Sequence, residues 1–281
     1  MDTKEENIGG TAVKYFVVQR DDEESRHLTQ LFHQLASERG MEHDNKNPDI
    51  VLSIGGDGTM LEAFQLYKHK LEKIAFVGLH TGHLGFFADW KRDEIHELVS
   101  MMASTALDSQ TIVQYPIVEI ELETKNGKEN YLALNEFTLK GVDRTLVAQL
   151  YINDQMLEMF RGDGICISSP VGSTAYNKSL GGAILHPSIE ALQIAEIASI
   201  NNRVFRTIGS SLILPKHHHC DIFPREQQNL LVTIDHRSIL RNDLISVRCI
   251  VSPKKVNFAR LRPFPFWSRV REAFISFEIG N

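Results

Sequence analysis

Three cysteines in 281 residues are too few, and odd in number, for a disulfide framework. Cys166, Cys220 and Cys249 read as reduced thiols, which excludes the small secreted scaffolds and points to a reducing cytosol. Long hydrophobic runs are missing: no apolar stretch reaches the roughly 18 residues that a membrane span needs. The opening MDTKEENIGGTAVKYFVV lacks the basic segment and apolar run of a secretory signal. A basic excess is absent too. The chain has 30 Lys and Arg against 36 Asp and Glu, a formal charge of −6. That balance gives no support to broad binding to nucleic acid or a membrane surface. It leaves room for a small anionic substrate, because a site needs only a local positive potential. Neither repeats nor low-complexity segments occur. The expected setting is the cytoplasm.

What is present is an ordinary globular mixture, 42% hydrophobic and 23% charged, at a length that suits two modest domains. The first hundred residues alternate short apolar runs (12–18, 49–54 and 74–79) with helical spacing over 23–39, 59–71 and 93–102. Gly40 is a natural stop for the first helix. Strands separated by helices predict a Rossmann-like α/β domain with a parallel sheet, over residues 1–105. From residue 106 to 254 the pattern turns to short alternating stretches, the mark of a strand-rich β domain. Lys125-Asn126-Gly127-Lys128 signals a hairpin between two of them. Only 189–199 has helical spacing in this half. The aromatic and basic tail, 255–281, is expected to pack back on the first domain.

The strongest local signal is Gly55-Gly56-Asp57-Gly58-Thr59, between a strand pattern and a helix start. Adjacent glycines leave backbone N–H groups open to phosphate, and the following helix adds a positive dipole. The phosphate loop of ATPases does not occur in the chain. The dinucleotide fingerprint fails because Leu61 stands at its third glycine. Asp57 is either a helix cap or a working carboxylate, as general base or magnesium ligand. His80-Thr81-Gly82-His83-Leu84-Gly85-Phe86-Phe87 follows the next strand, and its phenylalanines suit either a ring-binding floor or the core.

Asn135-Glu136 falls within an otherwise apolar strand pattern, where a buried amide and carboxylate need partners or a ligand. The run from Arg161 to Gly182 is longer and more chemically loaded than ordinary loops. It offers Asp163, then Thr174, Ala175, Tyr176, Asn177, Lys178 and Ser179, with Arg161 and Lys178 as local cations. His236 stands at a strand end. His217-His218-His219-Cys220 lacks the separated ligand pairs of a zinc site and reads as a surface loop, so no metal ligands are assigned.

These segments, in this order and spacing, resemble the NAD kinase family in its shorter bacterial form, and the resemblance covers nearly the whole chain. The first glycine motif is shared with lipid kinases and phosphofructokinases. The Gly172-Ser173-Thr174-Ala175-Tyr176-Asn177-Lys178-Ser179 run is far more specific. The resemblance implies phosphoryl transfer from ATP, with Mg2+, or from polyphosphate, to the adenosine ribose 2′-hydroxyl of NAD. It implies a site between the two domains, usually in a homodimer or homotetramer. By similarity Asp57 is the general base and Gly58 lines the NAD site beside it. Asn135 and Glu136 would hold ribose or nicotinamide groups, and Arg161 and Asp163 would place the nicotinamide end. Thr174, Ala175, Tyr176 and Ser179 would frame the adenine and its ribose, and Phe86, Asn177 and Lys178 belong to the same motifs. Ala198 matches a position that reaches a neighbouring subunit's site, and His236 is a further contributor. Two departures stand out: Phe87 where many relatives have tyrosine, and Val171 in place of a small polar residue. The competing readings are a lipid kinase of the diacylglycerol kinase type, sharing the first motif, and a non-catalytic NAD sensor.

Overall fold

A computed structural model of the protein describes residues 12–82, 85–105, 107–108 and 110–275. The chain divides into two compact units. The first takes the described residues of Met1–Ala63, Lys73–Ile112 and Ala259–Phe264. The second takes Phe64–Glu72, Val113–Phe258 and the described residues from Pro265 onward.

The first unit is α/β. Its elements are β1 (Lys14–Gln19), α1 (Glu23–Glu38), β2 (Glu42–His43), β3 (Ile50–Gly55), α2 (Asp57–Tyr67), β4 (Ala75–His80), β5 (Trp90–Lys91) and α3 (Ile95–Ser104). The strands pair in parallel in the order β2-β1-β3-β4-β5. β3 and β4 are buried along their whole length, as expected of strands covered on both faces. Leu28, Phe32 and Ala36 of α1 share one core with Ile95, Leu98, Val99 and Met102 of α3. α1 starts where Asp22 accepts the Ser25 N–H at 2.8 Å. It ends at Gly40, φ +71°, in a Schellman motif: Met41 N–H donates to Ala36 O and Gly40 N–H to Ser37 O. Two arginines tie the segment 259–264 into this unit. Arg260 forms a buried ion pair with Asp89 at 2.6 Å, and Arg262 bonds both carboxylate oxygens of Glu94, at 2.9 and 2.7 Å.

The second unit is a β-sandwich. Its strands are β6 (Ile112–Thr124), β7 (Gly127–Ala133), β8 (Glu136–Gly141), β9 (Leu146–Ile152), β10 (Gln155–Gly162), β11 (Gly164–Ser168), β12 (Ala191–Ile197), β13 (Leu212–Pro215), β14 (His219–Pro224), β15 (Leu230–Ile234), β16 (Arg237–Arg241) and β17 (Leu244–Ala259). Short helices α4 (Tyr176–Ser179) and α5 (Phe266–Phe274) complete it. One layer runs β10-β9-β14-β17, with β6 on β17 and β7 on β6. The other is an antiparallel sheet in the order β13-β12-β11-β8-β15-β16. Alternate residues of both layers, among them Ile120, Leu150, Ile222, Val247, Phe137, Ile165 and Val232, fill one core. Burial of these side chains stabilises the pair at about 25 cal/mol per Å² of apolar surface.

Three expectations need correction. Residues 191–197 are a strand, not part of a helix: β12 bonds β11 on one side and β13 on the other, and ladder bonds on both sides outweigh the helical spacing of its apolar residues. His219 and Cys220 open β14 with Cys220 fully buried, so only His217 and His218 of that run lie outside a strand. The strand expected across Asn135-Glu136 is broken there, for a reason that belongs to the site.

Candidate active site

Asp57, Gly58 and Phe86 come together in the first unit, at the carboxyl edge of the parallel sheet. Gly55 ends β3, and a Cβ on it would meet Thr59 Oγ1 at 2.2 Å. Only glycine lets the strand turn so tightly into α2. Among the described residues no heavy atom lies within 4 Å of a Cβ built on Gly56 or Gly58, so the space beside each is open. Asp57 begins α2, and its carboxylate accepts two backbone N–H bonds, from Phe86 at 3.0 Å and from Phe87 at 3.2 Å. A Cβ on Gly85 would lie 2.1 Å from Asp57 Oδ1. The loop after β4 therefore grips the carboxylate and fixes its direction. Phe87 is a core residue, whereas Phe86 is half-buried. His83 and Leu84 of this motif lie outside the described residues.

In the second unit Asn135 and Glu136 sit at a break between β7 and β8. Asp235 makes the break. Its carboxylate accepts the N–H groups of Leu134 (3.0 Å), Asn135 (2.7 Å) and Glu136 (3.3 Å), and the Gln65 side-chain amide at 3.2 Å. Three successive N–H groups pointed at one carboxylate cannot also pair with a neighbouring strand. Asp235 adopts φ +53°, a left-handed conformation that aspartate tolerates. Burial pushes its carboxyl upward, against the pull of those four bonds.

The same break holds the glycine-rich loop. Ser169 N–H donates to Asn135 O at 2.8 Å, and Ser169 Oγ bonds Leu134 O. A Cβ on Gly172 would meet Asn135 O at 2.1 Å, so backbone lies on backbone. The Tyr176 N–H reaches the Glu136 carboxyl. The Tyr176 hydroxyl accepts from Lys140 Nζ at 3.0 Å. Thr174 and Ala175 are half-buried beside it, and Ser179 is exposed. Asn177 is fully buried, its amide donating to the Ser173 and Ala183 carbonyls. It shapes the loop from within. Lys178 Nζ stands 4.2 Å above the Phe274 ring.

Glu136 carries an unpartnered buried oxygen, Oε2. Burial, and then the charge on Asp235, push its carboxyl up to about 8. At neutral pH it is an acid with an O–H to give. In the unfolded chain it loses that proton near 4.5, so between 4.5 and about 8 the folded state holds the extra proton. Stability is therefore expected to fall as pH rises across that window and then to level off. Glu136→Gln, which cannot ionise, is expected to flatten this dependence. Urea midpoints of both proteins at pH 6, 7, 8 and 9 check it, and parallel curves would refute the buried-acid assignment.

The remaining expected residues lie elsewhere on the same sheet. Ser168 pairs with Glu136 at one end of β11, and Gly164 pairs with Ile197 near Arg161, Asp163 and Ala198 at the other. Five residues of strand separate the ends by about 13 Å. Arg161 stacks its guanidinium 4.1 Å above Phe205, and its carbonyl accepts the Ile200 N–H. Asp163 is exposed, with its N–H on Ile197 O. Ala198 is exposed at φ +46°. His236 points outward, while its neighbour Asp235 is the buried partner of the site. Asp235 as the anchor, Gln65 and Lys140 carry no sequence signal for these roles, because each acts through a contact far away in the chain. Among the described residues one group of three possible metal ligands gathers, Asp154, His219 and Asp221. Arg248 already bonds both oxygens of Asp221, at 2.6 and 2.8 Å.

A gripped carboxylate at a strand-to-helix turn, beside glycine backbone, fits a phosphotransferase of the nucleotide kinase class. The comparisons narrow it. The model of the ATP-NAD kinase N-terminal domain matches residues 11–107, and that of the ATP-NAD kinase C-terminal domain matches 134–261. NAD kinase 1 of Bacillus subtilis (strain 168) is 52% identical over 265 residues, 94% of this chain and 98% of that protein. The NAD kinase of Geobacillus stearothermophilus is 51% identical over 264 residues, 93% of this chain and 96% of that protein. In fold the chain is similar to yeast NADH kinase complexed with NADH, with TM-score 0.79, 18% identity and coverage of 96% and 90% of the two chains. It is also similar to an NAD kinase from Archaeoglobus fulgidus in complex with ATP, with TM-score 0.70, 20% identity and coverage of 89% and 94%. The chain belongs to the NAD kinase family. It is an NAD kinase enzyme, with NAD and ATP as substrates. The lipid-kinase and sensor readings fall against half-identity to NAD kinases along nearly the full length.

Proposed function

We propose that the protein transfers the terminal phosphoryl group of Mg-ATP, or of polyphosphate, to the 2′-hydroxyl of the adenosine ribose of NAD. The observation that carries this reading is the Asp57 carboxylate, oriented by the Phe86 and Phe87 N–H groups beside the open backbone of Gly56 and Gly58. Asp57 takes the proton as the 2′-oxygen bonds to the phosphorus. The bond from that phosphorus to the leaving phosphate oxygen breaks, and ADP departs with the electron pair. Alignment and charge neutralisation supply most of the catalysis in such transfers. Magnesium is assigned to the donor's phosphates, whose charge it would neutralise.

The neutral Glu136 acid and Asn135 suit ribose or nicotinamide hydroxyl and amide groups, with Thr174, Ala175, Tyr176 and Ser179 framing the adenine end. Arg161, Asp163 and Ala198 are assigned to the nicotinamide end and to a neighbouring subunit. The edge strand β10 exposes Met156 and Met159, an apolar surface consistent with a homodimer or homotetramer. The three free, buried thiols suit a cytoplasmic setting. The test is incubation with NAD and Mg-ATP, reading NADP with an NADP-specific dehydrogenase and ADP in equal amount. The expected result is stoichiometric NADP and ADP. No NADP from either ATP or polyphosphate would refute the reading.

A further inference from the structure

Two carboxyl groups bridge the layers of the second unit. Glu158 is a buried residue of β10, and Glu196 belongs to β12 in the other layer. The two groups are hydrogen-bonded to each other. One oxygen of each takes a backbone donor, and the donors are consecutive. Glu158 Oε2 accepts the Ile208 N–H at 2.8 Å, and Glu196 Oε1 accepts the Gly209 N–H at 3.1 Å. The remaining oxygens, Glu158 Oε1 and Glu196 Oε2, are buried and find no donor among the described residues. Two bare carboxylate oxygens in such a place repel, whereas one proton between them satisfies both. Burial pushes the Glu158 carboxyl up to about 7, against the pull of the Ile208 N–H and helped by the like charge of Glu196. The other charged groups of these elements are Arg161, stacked on Phe205, and the exposed Arg203 and Arg206. β9, β11 and β13, which pair with β10 and β12, carry no carboxylate or cation, only the Tyr151 hydroxyl and the Cys166 thiol.

Ile208 and Gly209 belong to the loop between β12 and β13, residues 198–211. Arg161 ties the same loop at two further points. Its carbonyl accepts the Ile200 N–H at 2.8 Å, and its guanidinium lies over Phe205 at 4.1 Å. Ala198 opens the loop at φ +46°, and the Asp163 N–H bonds Ile197 O just before it. A Cβ on Gly162 would meet Ser199 Cα at 2.9 Å, so backbone packs on backbone there. The loop thus runs from the pair of carboxyl groups to Arg161, Asp163 and Ala198, the residues assigned above to the nicotinamide end. We propose that Glu158 and Glu196 share one proton and, through the loop they hold, act as positioning residues for that end of the NAD site. This rests on the NAD kinase reading above. Below neutral pH the proton is in place and the loop is pinned to both layers. As pH rises the proton leaves, two like charges face each other, and the loop loosens. NAD binding then weakens, although neither carboxyl group touches NAD.

The test is equilibrium titration of NAD, with hydrogen exchange of segment 198–211, on the full chain at pH 6 and pH 8.5. Glu158→Gln copies the protonated pair permanently: its carbonyl accepts the Ile208 N–H, and its NH2 donates to Glu196. It is expected to bind NAD as the wild type does at pH 6, and about fivefold more tightly than the wild type at pH 8.5, the scale of one hydrogen bond. Segment 198–211 of the wild type is expected to lose protection between the two pH values, after correction for intrinsic exchange, and that of Glu158→Gln to keep it. Titration of Glu136 is common to both proteins, so the difference between them isolates the pair. Glu158→Ala is expected to bind NAD about fivefold more weakly at pH 6, with the KM for ATP unchanged, a split that a general loss of structure would not give. Thermal midpoints show that each variant is folded. Equal pH dependence of NAD binding in the wild type and Glu158→Gln would overturn the proposal, as would a folded Glu158→Ala with wild-type NAD affinity at pH 6. A wild type with the expected exchange pattern that neither binds NAD nor forms NADP would instead refute the kinase reading and leave the shared proton standing.

Discussion

Asp57→Asn is expected to lower turnover of NAD to NADP by about 10²–10⁴-fold, the usual cost of losing a general base. The shape of the side chain is kept, and NAD affinity is expected to change little. One consequence is specific to this site. Each carboxylate oxygen accepts a backbone N–H, from Phe86 and from Phe87. An amide presents NH2 to one of them, so the loop loses an anchor along with the base. Gly85→Ala separates the two effects. It keeps the carboxylate but places a Cβ 2.1 Å from Asp57 Oδ1, which must displace it. Turnover is expected to fall in both variants, with NAD binding retained, measured by single-turnover kinetics and by equilibrium titration of NAD. Asp57→Asn that keeps a tenth of wild-type turnover or more would remove Asp57 from the base role.

The largest stability effect is expected from Asp235→Ala. The change leaves three backbone N–H groups, at Leu134, Asn135 and Glu136, without their acceptor, and leaves the Gln65 amide with Leu132 O alone. An orphaned buried donor costs about 1–3 kcal/mol. The sum is on the order of 4 kcal/mol or more, a large part of the stability of an ordinary domain. Asp235→Asn keeps one acceptor oxygen and is expected to cost roughly half as much. Urea unfolding measures both. Because Asp235 fixes the Asn135-Glu136 break, any Asp235→Asn protein that stays folded is expected to show a raised KM for NAD. An Asp235→Ala urea midpoint equal to wild type would show that the carboxylate is not the anchor.

Much of the first unit was legible in the sequence because its signals are local. Apolar runs alternating with helical spacing produce strand and helix wherever the chain is read, and Asp22 and Gly40 bound α1 through bonds to near neighbours. The second unit was less legible for a physical reason. β12 is buried on both faces, so its apolar residues show no alternation, and a short apolar run of that kind fits helix or strand equally. Its state is decided by β11 and β13, which pair with it from distant parts of the chain.

The sequence alone determined where the carboxylate proposed as the base stands. Gly55 allows the tight turn, Asp57 follows at the helix start, and residues that close in the chain must share one strand-to-helix junction. Tertiary structure decided what surrounds it. Asp57 takes its direction from N–H groups 29 and 30 residues away, and Asn135-Glu136 is held by a carboxylate about a hundred residues distant. It also placed the expected nucleotide contacts at two ends of β11 and turned Asn177 inward. Propensity and spacing act over a few residues, whereas a buried polar group is satisfied by whatever the fold brings to it. Partners of that kind become visible only when the chain has folded.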